Sequence, residues 1–471
     1  MSQARISKEN IEDYYPLSPM QEGMLLHTVY GDEPDLYVFQ LSCSLRGSPD
    51  SALFEEAWQR VMQRHAVLRT CFLWEGLGKP IQVVKRTVRL PLTTLDWRGS
   101  EPREQRERIE RFLNEDRHRG FSPSTAPLMR VTLIRTSDEI HHLVWTHHHL
   151  LLDGWSVARV LDDVQACYAN LRRGTVANDE PSPPYRGYIR WLHQQDLSRA
   201  KVFWTNLLRG FKRPTALAMG QPVRPDAGEP QGYRRQSRML PEVITSELYS
   251  LARRRRLTVN VLVQGAWALL LSRYANEDDV VFGAVVSGRP SELPGITSMV
   301  GLFINTLPVR VRLPSHLRVS DWLETLRMQE AEMLQHEYTP LIEVQSCADT
   351  PKGLPLFESI LAFDNYPVYS SIKDYQWDLR IEDVRSVQRS NYPLAIVAMP
   401  GASLALMASY DPRRFEDIAI EQMLLRLESL LSSLPGRLDS TLGEIEVFSE
   451  KERALLNRPS AVTDLEDTFS F

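Results

Sequence analysis

The amino-acid sequence predicts an α/β protein built of two large lobes. The chain has 471 residues, more than one ordinary hydrophobic core accommodates. Strand-like and helix-like apolar patterns alternate along both halves of the chain. A polar, proline-rich connection at residues 172–184 lies between these halves, and its composition is typical of a link between lobes.

In the first half, the clearest element is a helix that begins after Ser18. Ser18 is the expected N-cap, Pro19 occupies the first helical position, and Gln21 completes a capping box. Another helix is expected to begin after the segment 146–155, with Ser156 as its N-cap. Apolar periodicity places the remaining elements: strands at 36–45, 67–73, 129–135 and 140–147, and helices at about 50–64, 101–116 and 156–173.

The second half repeats the mixture of helices and strands. Helical patterns occur at 242–256, 259–274, 319–337 and 415–434, and strand patterns at 280–286, 306–313, 358–364, 394–399 and 405–410. We therefore expect a first lobe at 1–174, a linker at 175–184, a second lobe at 185–455 and the start of an interdomain linker at 456–471.

Composition excludes several classes of function. The net charge of −5 provides no basic surface of the kind that nucleic acids require. The longest apolar stretch, residues 259–271, contains Asn260 and Gln264 and is too short and polar to span a bilayer. Four cysteines lie far apart without a C-x-x-C pair, which is typical of a reducing compartment. A cytoplasmic protein that binds neither nucleic acid nor membrane is expected.

The segment 146–156, T-H-H-H-L-L-L-D-G-W-S, is the candidate active site. It joins a predicted strand to a predicted helix, a usual place for reactive groups. A neutral imidazole accepts a proton near pH 7, and a nearby carboxylate can fix its tautomer or hold the loop. A structural histidine pair is one alternative. A metal site is another, but no cysteine or H-E-x-x-H spacing supports it, so no metal is predicted.

The pattern His148-His149-x-x-x-Asp153-Gly154 resembles the signature of nonribosomal peptide synthetase condensation domains. Other segments resemble further sequence blocks of that family, although Gly187 stands where an acidic residue is common. These segments are 17–25, 64–72, 185–191, 280–290, 299–308 and 336–341. They follow the family order and cover the chain from about residue 14 to about residue 450.

The resemblance implies two chloramphenicol acetyltransferase-like lobes, arranged as a V-shaped pseudo-dimer with a central tunnel. It also implies amide formation between a thioester donor and an amine on an acceptor carrier. His149 would be the central residue, as general base or as a positioning and electrostatic group, with His148 packed behind it. The Gly154 N–H is a candidate oxyanion donor. Asp153 is often counted as catalytic, but we expect it to brace the loop instead.

The same resemblance assigns supporting roles around the site. Asp153 is expected to pair with Arg289, because an arginine fork matches a carboxylate bidentately. Arg64, like Arg69, is expected to brace a strand against a helix. The candidates for lining the substrate tunnel are Met20, Trp155 and Ser156.

Motifs absent from the sequence restrict the cofactors and partners. No G-x-S-x-G, P-loop or G-x-G-x-x-G sequence occurs, so no bound cofactor is expected. No Gly-Gly pair occurs either, so the carrier attachment motif is missing. The expected partners are an acceptor peptidyl carrier protein and a donor carrier protein, both bearing phosphopantetheine arms, or acyl-coenzyme A as donor. A neighbouring adenylation domain is expected downstream.

Related classes of the family are distinguished by their motifs. Epimerization domains need an acidic residue near the block that corresponds to residues 280–290, where this chain has Ser287-Gly288-Arg289-Pro290. Heterocyclization domains replace the histidine pair, and a non-catalytic recruiting domain usually has a damaged motif. Because few residues precede Tyr14, we expect a starter domain that uses a fatty acyl-coenzyme A donor. An L-to-L elongating domain with a carrier-bound donor is the alternative, and a non-catalytic recruiting domain is the second.

Overall fold

The structure is a computed structural model that describes residues 8–31, 33–175, 182–217, 232–351, 353–364 and 379–447. Most of the expected linker at 175–184 and all of the expected linker at 456–471 lie outside the described residues. Within them the chain is a mixed α/β protein, as the sequence predicts, and no described helix is long and apolar enough to cross a membrane.

The first half contains seven strands and four α-helices among the described residues. In chain order they are β1 (Ile11–Pro16), α1 (Pro19–Tyr30), β2 (Val38–Arg46), α2 (Ser51–Arg64), β3 (Thr70–Leu73), β4 (Ile81–Lys85), β5 (Leu92–Asp96), α3 (Pro102–His118), β6 (Met129–Arg135), β7 (Ile140–His148) and α4 (Gly154–Arg173).

The second half supplies the remaining described elements. They are α5 (Arg186–His193), α6 (Leu197–Leu208), β8 (Arg234–Met239), α7 (Glu242–Arg255), α8 (Val259–Ala275), β9 (Asp279–Val286), β10 (Asn305–Arg312), α9 (Val319–Leu334), α10 (Leu341–Ser346), β11 (Ser359–Phe363), β12 (Arg380–Gln388), β13 (Leu394–Met399), β14 (Ala405–Tyr410) and α11 (Asp417–Ser433).

The strands form three sheets, and one strand crosses between the halves. The orders are β1-β4-β3, β12-β2-β7-β6-β5 and β10-β9-β11-β13-β14-β8. Strand β12 comes from the second half of the chain but pairs antiparallel with β2, from Arg380 opposite Arg46 to Gln388 opposite Phe39. The expected lobe boundary stays a prediction. A single boundary in the sequence does not describe this strand exchange, because β12 follows the boundary but pairs with a strand that precedes it.

The two halves of the chain contain two large hydrophobic cores. The core of the second half is organised around α8, which is largely apolar and mostly buried, with Trp267 at its centre. The core of the first half includes Val300 and Leu302 from the second half. Burial of these side chains, each contributing about 1.5–3 kcal/mol, therefore also holds the two halves together.

Local signals predicted one helix start correctly and another incorrectly. Helix α1 has the expected capping box between Ser18 and Gln21, with Pro19 in its first position. Helix α4 begins at Gly154, and its N-cap is Asp153 rather than Ser156. The Asp153 carboxylate accepts the backbone N–H of Ser156 at 2.8 Å, so the N-cap lies three residues earlier than expected.

Candidate active site

The candidate site is the turn between β7 and α4, residues 149–153, which faces a segment of the second half. Strand β7 extends to His148, opposite Val38 of β2. The pairing continues one residue further, because the backbone N–H of His149 donates to the Tyr37 carbonyl at 2.8 Å. The central strand of the five-stranded sheet therefore delivers the histidines directly to the turn.

His148 is a neutral, fully engaged side chain. Its Nδ1 accepts the backbone N–H of Leu150 at 3.1 Å, so the ring proton resides on Nε2. Nε2 is 3.2 Å from the Thr28 hydroxyl, which itself donates to the Met24 carbonyl. Burial lowers the pKa of His148 to about 3. Both ring nitrogens are occupied, which suits a role in holding the turn.

His149 has a different environment, although it is also buried. Only 6% of its surface is exposed. Burial lowers its pKa below the ordinary value, an effect that backbone hydrogen bonding at His149, the nearby charge of Asp153 and backbone hydrogen bonding at Leu152 partly oppose. Its Nδ1 is buried and has no hydrogen-bond partner among the described residues. The imidazole is thus neutral at pH 7, and none of the described carboxylates is hydrogen-bonded to it as in a catalytic triad.

Asp153 uses both carboxylate oxygens in contacts with its own helix and with the second half. Oδ1 accepts the Ser156 N–H at 2.8 Å, and Oδ2 accepts the Phe303 N–H at 3.1 Å. Nη2 of Arg289 lies 3.2 and 3.3 Å from the two oxygens. The backbone N–H of Asp153 also donates to the Gly301 carbonyl. The side chain is 1% exposed in this ion pair, so it has no free face toward a substrate.

Arg289 does not make the expected two-nitrogen fork to the carboxylate. Only Nη2 contacts Asp153, because Nη1 donates to the carbonyls of Ile296 and Met299 at 2.8 and 3.1 Å. The guanidinium also stacks 3.9 Å from the centre of the Phe303 ring. The Arg289 guanidinium therefore contacts both the turn between β7 and α4 and the segment 296–303.

Three more residues proposed for the site, Gly154, Trp155 and Met20, differ in their surroundings. Gly154 is the first residue of α4, where backbone N–H groups have no intrahelical partner. Trp155 is 38% exposed, with its Nε1 3.5 Å from the Thr297 carbonyl. Met20 is half-buried and packs on the first core.

Ser156 is buried, and its hydroxyl is used between the halves. It donates to the Gly301 carbonyl at 2.8 Å and accepts hydrogen bonds from the Gly301 N–H and from Nη2 of Arg289. The Ser156 hydroxyl, which was expected to line the tunnel, is therefore occupied by hydrogen bonds to Gly301 and Arg289.

Arg64 lies elsewhere and braces different elements from those expected. Its Nη1 is 3.5 Å from the Asp163 carboxylate, so it connects helix α2 to helix α4 rather than a strand to a helix. The carboxylate of Asp163 is also 2.7 Å from the ring of His65. Arg69 does link strand to helix, through Glu12 of β1 and the Met62 carbonyl of α2.

Gly288 and Gly301, in the second half near Asp153 and Arg289, leave no room for a side chain, although the sequence did not mark them as site residues. A Cβ on Gly301 would stand 2.3 Å from a ring carbon of Tyr185. Gly288 has φ of +60°, and a Cβ there would stand 1.9 Å from the Phe303 carbonyl oxygen. Gly288 lies in the family block at 280–290 and Gly301 in the block at 299–308. These blocks were the sequence feature from which the two glycines could have been identified.

One cavity among the described residues lies away from the turn, and no metal-ligating group occurs among them. The described residues contain no group of three or more histidine, cysteine or acidic side chains placed to hold a metal ion. A cavity of about 600 Å³ lies between α2, α4 and β1, with Arg64 and Asp163 among its lining residues, and its lining does not include the turn. The expected central tunnel stays a prediction.

Comparison with known proteins connects this site to a family. The family model for the condensation domain matches residues 11–457. One of the linear gramicidin synthase proteins of Brevibacillus parabrevis is 44% identical over 444 residues, which are 94% of this chain and 6% of that protein. A second protein of the same synthase is 43% identical over 94% of this chain and 9% of its own length. The chain thus spans less than a tenth of these curated relatives.

Solved structures with low sequence identity share the fold. A complex of the X-domain and OxyB from teicoplanin biosynthesis matches with a TM-score of 0.78 at 21% identity, covering 95% of this chain and 98% of that one. A mutant starter condensation domain of rhizomide synthetase, in complex with C8-CoA, matches with a TM-score of 0.77 at 17% identity, covering 92% and 97%. The expected chloramphenicol acetyltransferase-like α/β fold is thereby confirmed.

Proposed function

This chain belongs to the condensation domains, and from that membership we propose that it joins a thioester-bound acyl donor to the amine of an aminoacyl group on a carrier protein. Condensation domains of nonribosomal peptide synthetases catalyse amide-bond formation, an acyltransferase reaction. The observation that carries the proposal is the neutral imidazole of His149, held on a turn that both halves of the chain brace.

The reaction requires that the attacking nitrogen lose a proton. An α-amine has a pKa of about 8, so much of it is protonated at neutral pH. The nitrogen attacks the thioester carbonyl carbon, and the nitrogen proton becomes more acidic as the C–N bond forms. His149 accepts that proton, the C–S bond breaks, and the proton passes to the departing thiolate.

The lowered pKa of His149 has two consequences for this role. The ring is neutral and available at pH 7, but burial also makes it a weaker base. Both general-base catalysis and electrostatic positioning of the amine are therefore consistent with its environment. The Gly154 N–H, at the start of α4, is the proposed donor to the oxyanion of the tetrahedral intermediate.

The substrates reach the site on other molecules in this proposal. The acceptor comes on the phosphopantetheine arm of a peptidyl carrier protein, with an adenylation domain as the neighbouring partner, and the domain itself holds no cofactor. A cytoplasmic location is part of the same proposal.

The donor has two candidate sources. A fatty acyl-coenzyme A is one candidate donor. The identities of 43–44% to synthase proteins named for a peptide, linear gramicidin, favour a carrier-bound aminoacyl or peptidyl donor.

A non-catalytic recruiting domain is the competing function. The likeness to the X-domain complex concerns the fold alone, at 21% identity. Against recruitment, the imidazole of His149 is neutral and its Nδ1 has no hydrogen-bond partner among the described residues. The Asp153 brace would serve either function, so the argument rests on His149 alone.

One experiment tests the proposal and separates the donors. An acceptor carrier loaded with an amino acid is incubated with the domain and with octanoyl-coenzyme A or an aminoacyl-loaded donor carrier, and products are read by mass spectrometry. We expect amide product from at least one donor, and its loss in His149→Ala but not in His316→Ala, which removes an exposed histidine before α9. Failure of a panel of acyl-coenzyme A and carrier-bound donors with the folded wild type would overturn it.

A further inference from the structure

Tyr37 has an unusual backbone conformation directly beside the motif. Its φ is +60°, in the left-handed region that non-glycine residues with bulky side chains rarely adopt. Three other described non-glycine residues have positive φ, of which Arg256 and Asn276 are helix C-caps and Asp383 lies at an irregularity in β12. Tyr37 is instead hydrogen-bonded to the backbone of His149.

The two backbone groups of Tyr37 connect the second half of the chain to the candidate catalytic histidine. Its N–H donates to the Arg389 carbonyl at 3.1 Å, and its carbonyl accepts the His149 N–H at 2.8 Å. The left-handed conformation aims both groups at these partners simultaneously. A change of φ to the negative region would rotate the flanking peptide planes and break at least one of the two hydrogen bonds.

Packing of the tyrosine ring holds this conformation. The ring is buried between two histidines, with its centre 6.2 Å from that of His27 and 6.4 Å from that of His148. The hydroxyl is 2.8 Å from Nδ1 of His27. A strained backbone persists where surrounding contacts over-determine it, and such sites cluster around active sites.

Arg389 is itself firmly anchored, so its carbonyl is a fixed reference point. It follows β12, whose last residue accepts a hydrogen bond from Arg235 of β8 at 2.8 Å. The Arg389 guanidinium is nearly buried, contacts Glu33, and lies 2.6 Å from the Asp35 carboxylate. Those two acidic residues belong to the same turn as Tyr37, so side chains and backbone tie Arg389 to one place.

We propose that Tyr37 is a positioning residue of this condensation site. Its left-handed backbone connects the Arg389 carbonyl to the His149 N–H and thereby fixes the position of the His149 ring. This inference rests on the proposed function, in which His149 handles the amine proton. A catalytic group displaced by about 1 Å loses about 10²-fold in rate. The side chain of Tyr37 acts here only by maintaining the backbone conformation.

Substitutions that differ in their tolerance of positive φ test this inference. Tyr37→Gly and Tyr37→Asn accept the left-handed conformation, whereas Tyr37→Val resists it, because β-branching disfavours it. We expect Tyr37→Val to lower kcat by about 10- to 100-fold with the KM for the acceptor carrier unchanged. Tyr37→Gly and Tyr37→Asn should retain much more of the wild-type kcat, and Tyr37→Phe should separate the effect of the hydroxyl.

The matched control is Tyr14→Val, which makes the same chemical change at an exposed position on β1. Equal losses in the Gly and Val variants, or wild-type kcat in a folded Tyr37→Val, would overturn the inference while leaving the proposed function intact.

A second readout does not depend on catalysis. The imidazole NMR signals of His149, assigned by comparison with His149→Ala, should shift in Tyr37→Val and stay near their wild-type positions in Tyr37→Asn. If the wild type forms no amide, the proposed function fails, yet these signals still decide whether Tyr37 positions His149. Unmoved His149 signals in folded Tyr37→Val would contradict the inference.

Discussion

The two ends of the turn between β7 and α4 differ in how their side chains are satisfied. Asp153 ends the turn with both oxygens occupied by two backbone N–H groups and an arginine. His149 begins it with a neutral ring whose buried Nδ1 has no hydrogen-bond partner among the described residues. Both are almost completely buried, so burial alone does not distinguish them. The difference lies in their partners.

This difference separates structure from chemistry within one motif. A carboxylate with every oxygen engaged cannot take up a proton without breaking its ion pair. A buried imidazole that is kept neutral, with no partner for its Nδ1 among the described residues, can accept one. We therefore propose that Asp153 braces the turn and that His149 handles the proton, and variants at each end of the turn can test these two roles separately.

Removal of His149 should have the largest effect on catalysis. His149→Ala leaves the Tyr37 hydrogen bond intact, because that bond uses the backbone, so we expect the fold to persist. Loss of general-base catalysis costs roughly 10²–10⁴-fold in kcat. Single-turnover amide formation measures the rate, and a thermal melt checks the fold. Wild-type turnover in the variant would place the chemistry elsewhere.

Removal of Asp153 or Arg289 should act chiefly on stability. Breaking a buried ion pair leaves an uncompensated charge and costs about 3–5 kcal/mol in the free energy of unfolding. Both Asp153→Ala and Arg289→Ala should melt at clearly lower temperatures, and the double variant should lose much less than the sum.

Asp153→Asn sharpens this test, because the amide oxygen can still cap α4 while the charge is gone. We expect it to melt below the wild type and to keep measurable activity at low temperature. Unchanged melting temperatures combined with lost turnover would assign Asp153 a direct role in the chemistry and remove the distinction between the two ends of the turn.

Local patterns predicted a large part of the fold. Strands β13 and β14 begin and end at the predicted residues, and α1 has its predicted capping box, because these elements follow from apolar periodicity and local caps. Strand β12 was missed, because its sequence R-I-E-D-V-R-S-V-Q lacks regular apolar alternation. It forms by pairing with β2, a tertiary contact that a local pattern does not encode.

The site shows the same division between local and distant information. The motif identified His149, Asp153 and Gly154 from contiguous residues. The ion pair of Asp153 joins residues 136 positions apart, and its partner was expected only from the family resemblance. No sequence signal pointed to Tyr37, because a left-handed tyrosine depends on packing around it rather than on residue type.

Neutral histidines behind the turn should make stability depend on pH. Burial lowers the pKa of His148 from 6.5 to about 3, so the unfolded chain binds the proton more readily than the folded one between these values. Its contribution to stability is complete above pH 6.5 and declines as the pH falls toward 3, by about 1.4 kcal/mol per unit. His148→Asn should lessen this slope, since the amide oxygen can replace Nδ1 as acceptor without titrating.

Urea unfolding at several pH values between 6.5 and 4.5 measures this effect. The wild type should lose stability steadily over that range, and His148→Asn should lose about 1.4 kcal/mol less per unit. An identical slope in the two proteins would mean that His148 is charged in the folded state. It would then no longer be a neutral support for His149.

Removal of Arg64 should have the smallest effect on stability and on kcat. Arg64 has the same side chain as Arg289 but different surroundings. The Arg64 side chain is about a quarter exposed, and its contact with Asp163 is 3.5 Å long, whereas Arg289 is nearly buried against Asp153. Partly exposed ion pairs contribute about 0–1 kcal/mol. Arg64→Ala should therefore melt close to the wild type and keep its kcat. A drop in melting temperature as large as that of Arg289→Ala would show that the helix pair α2–α4 also holds the turn, because α4 begins at Gly154.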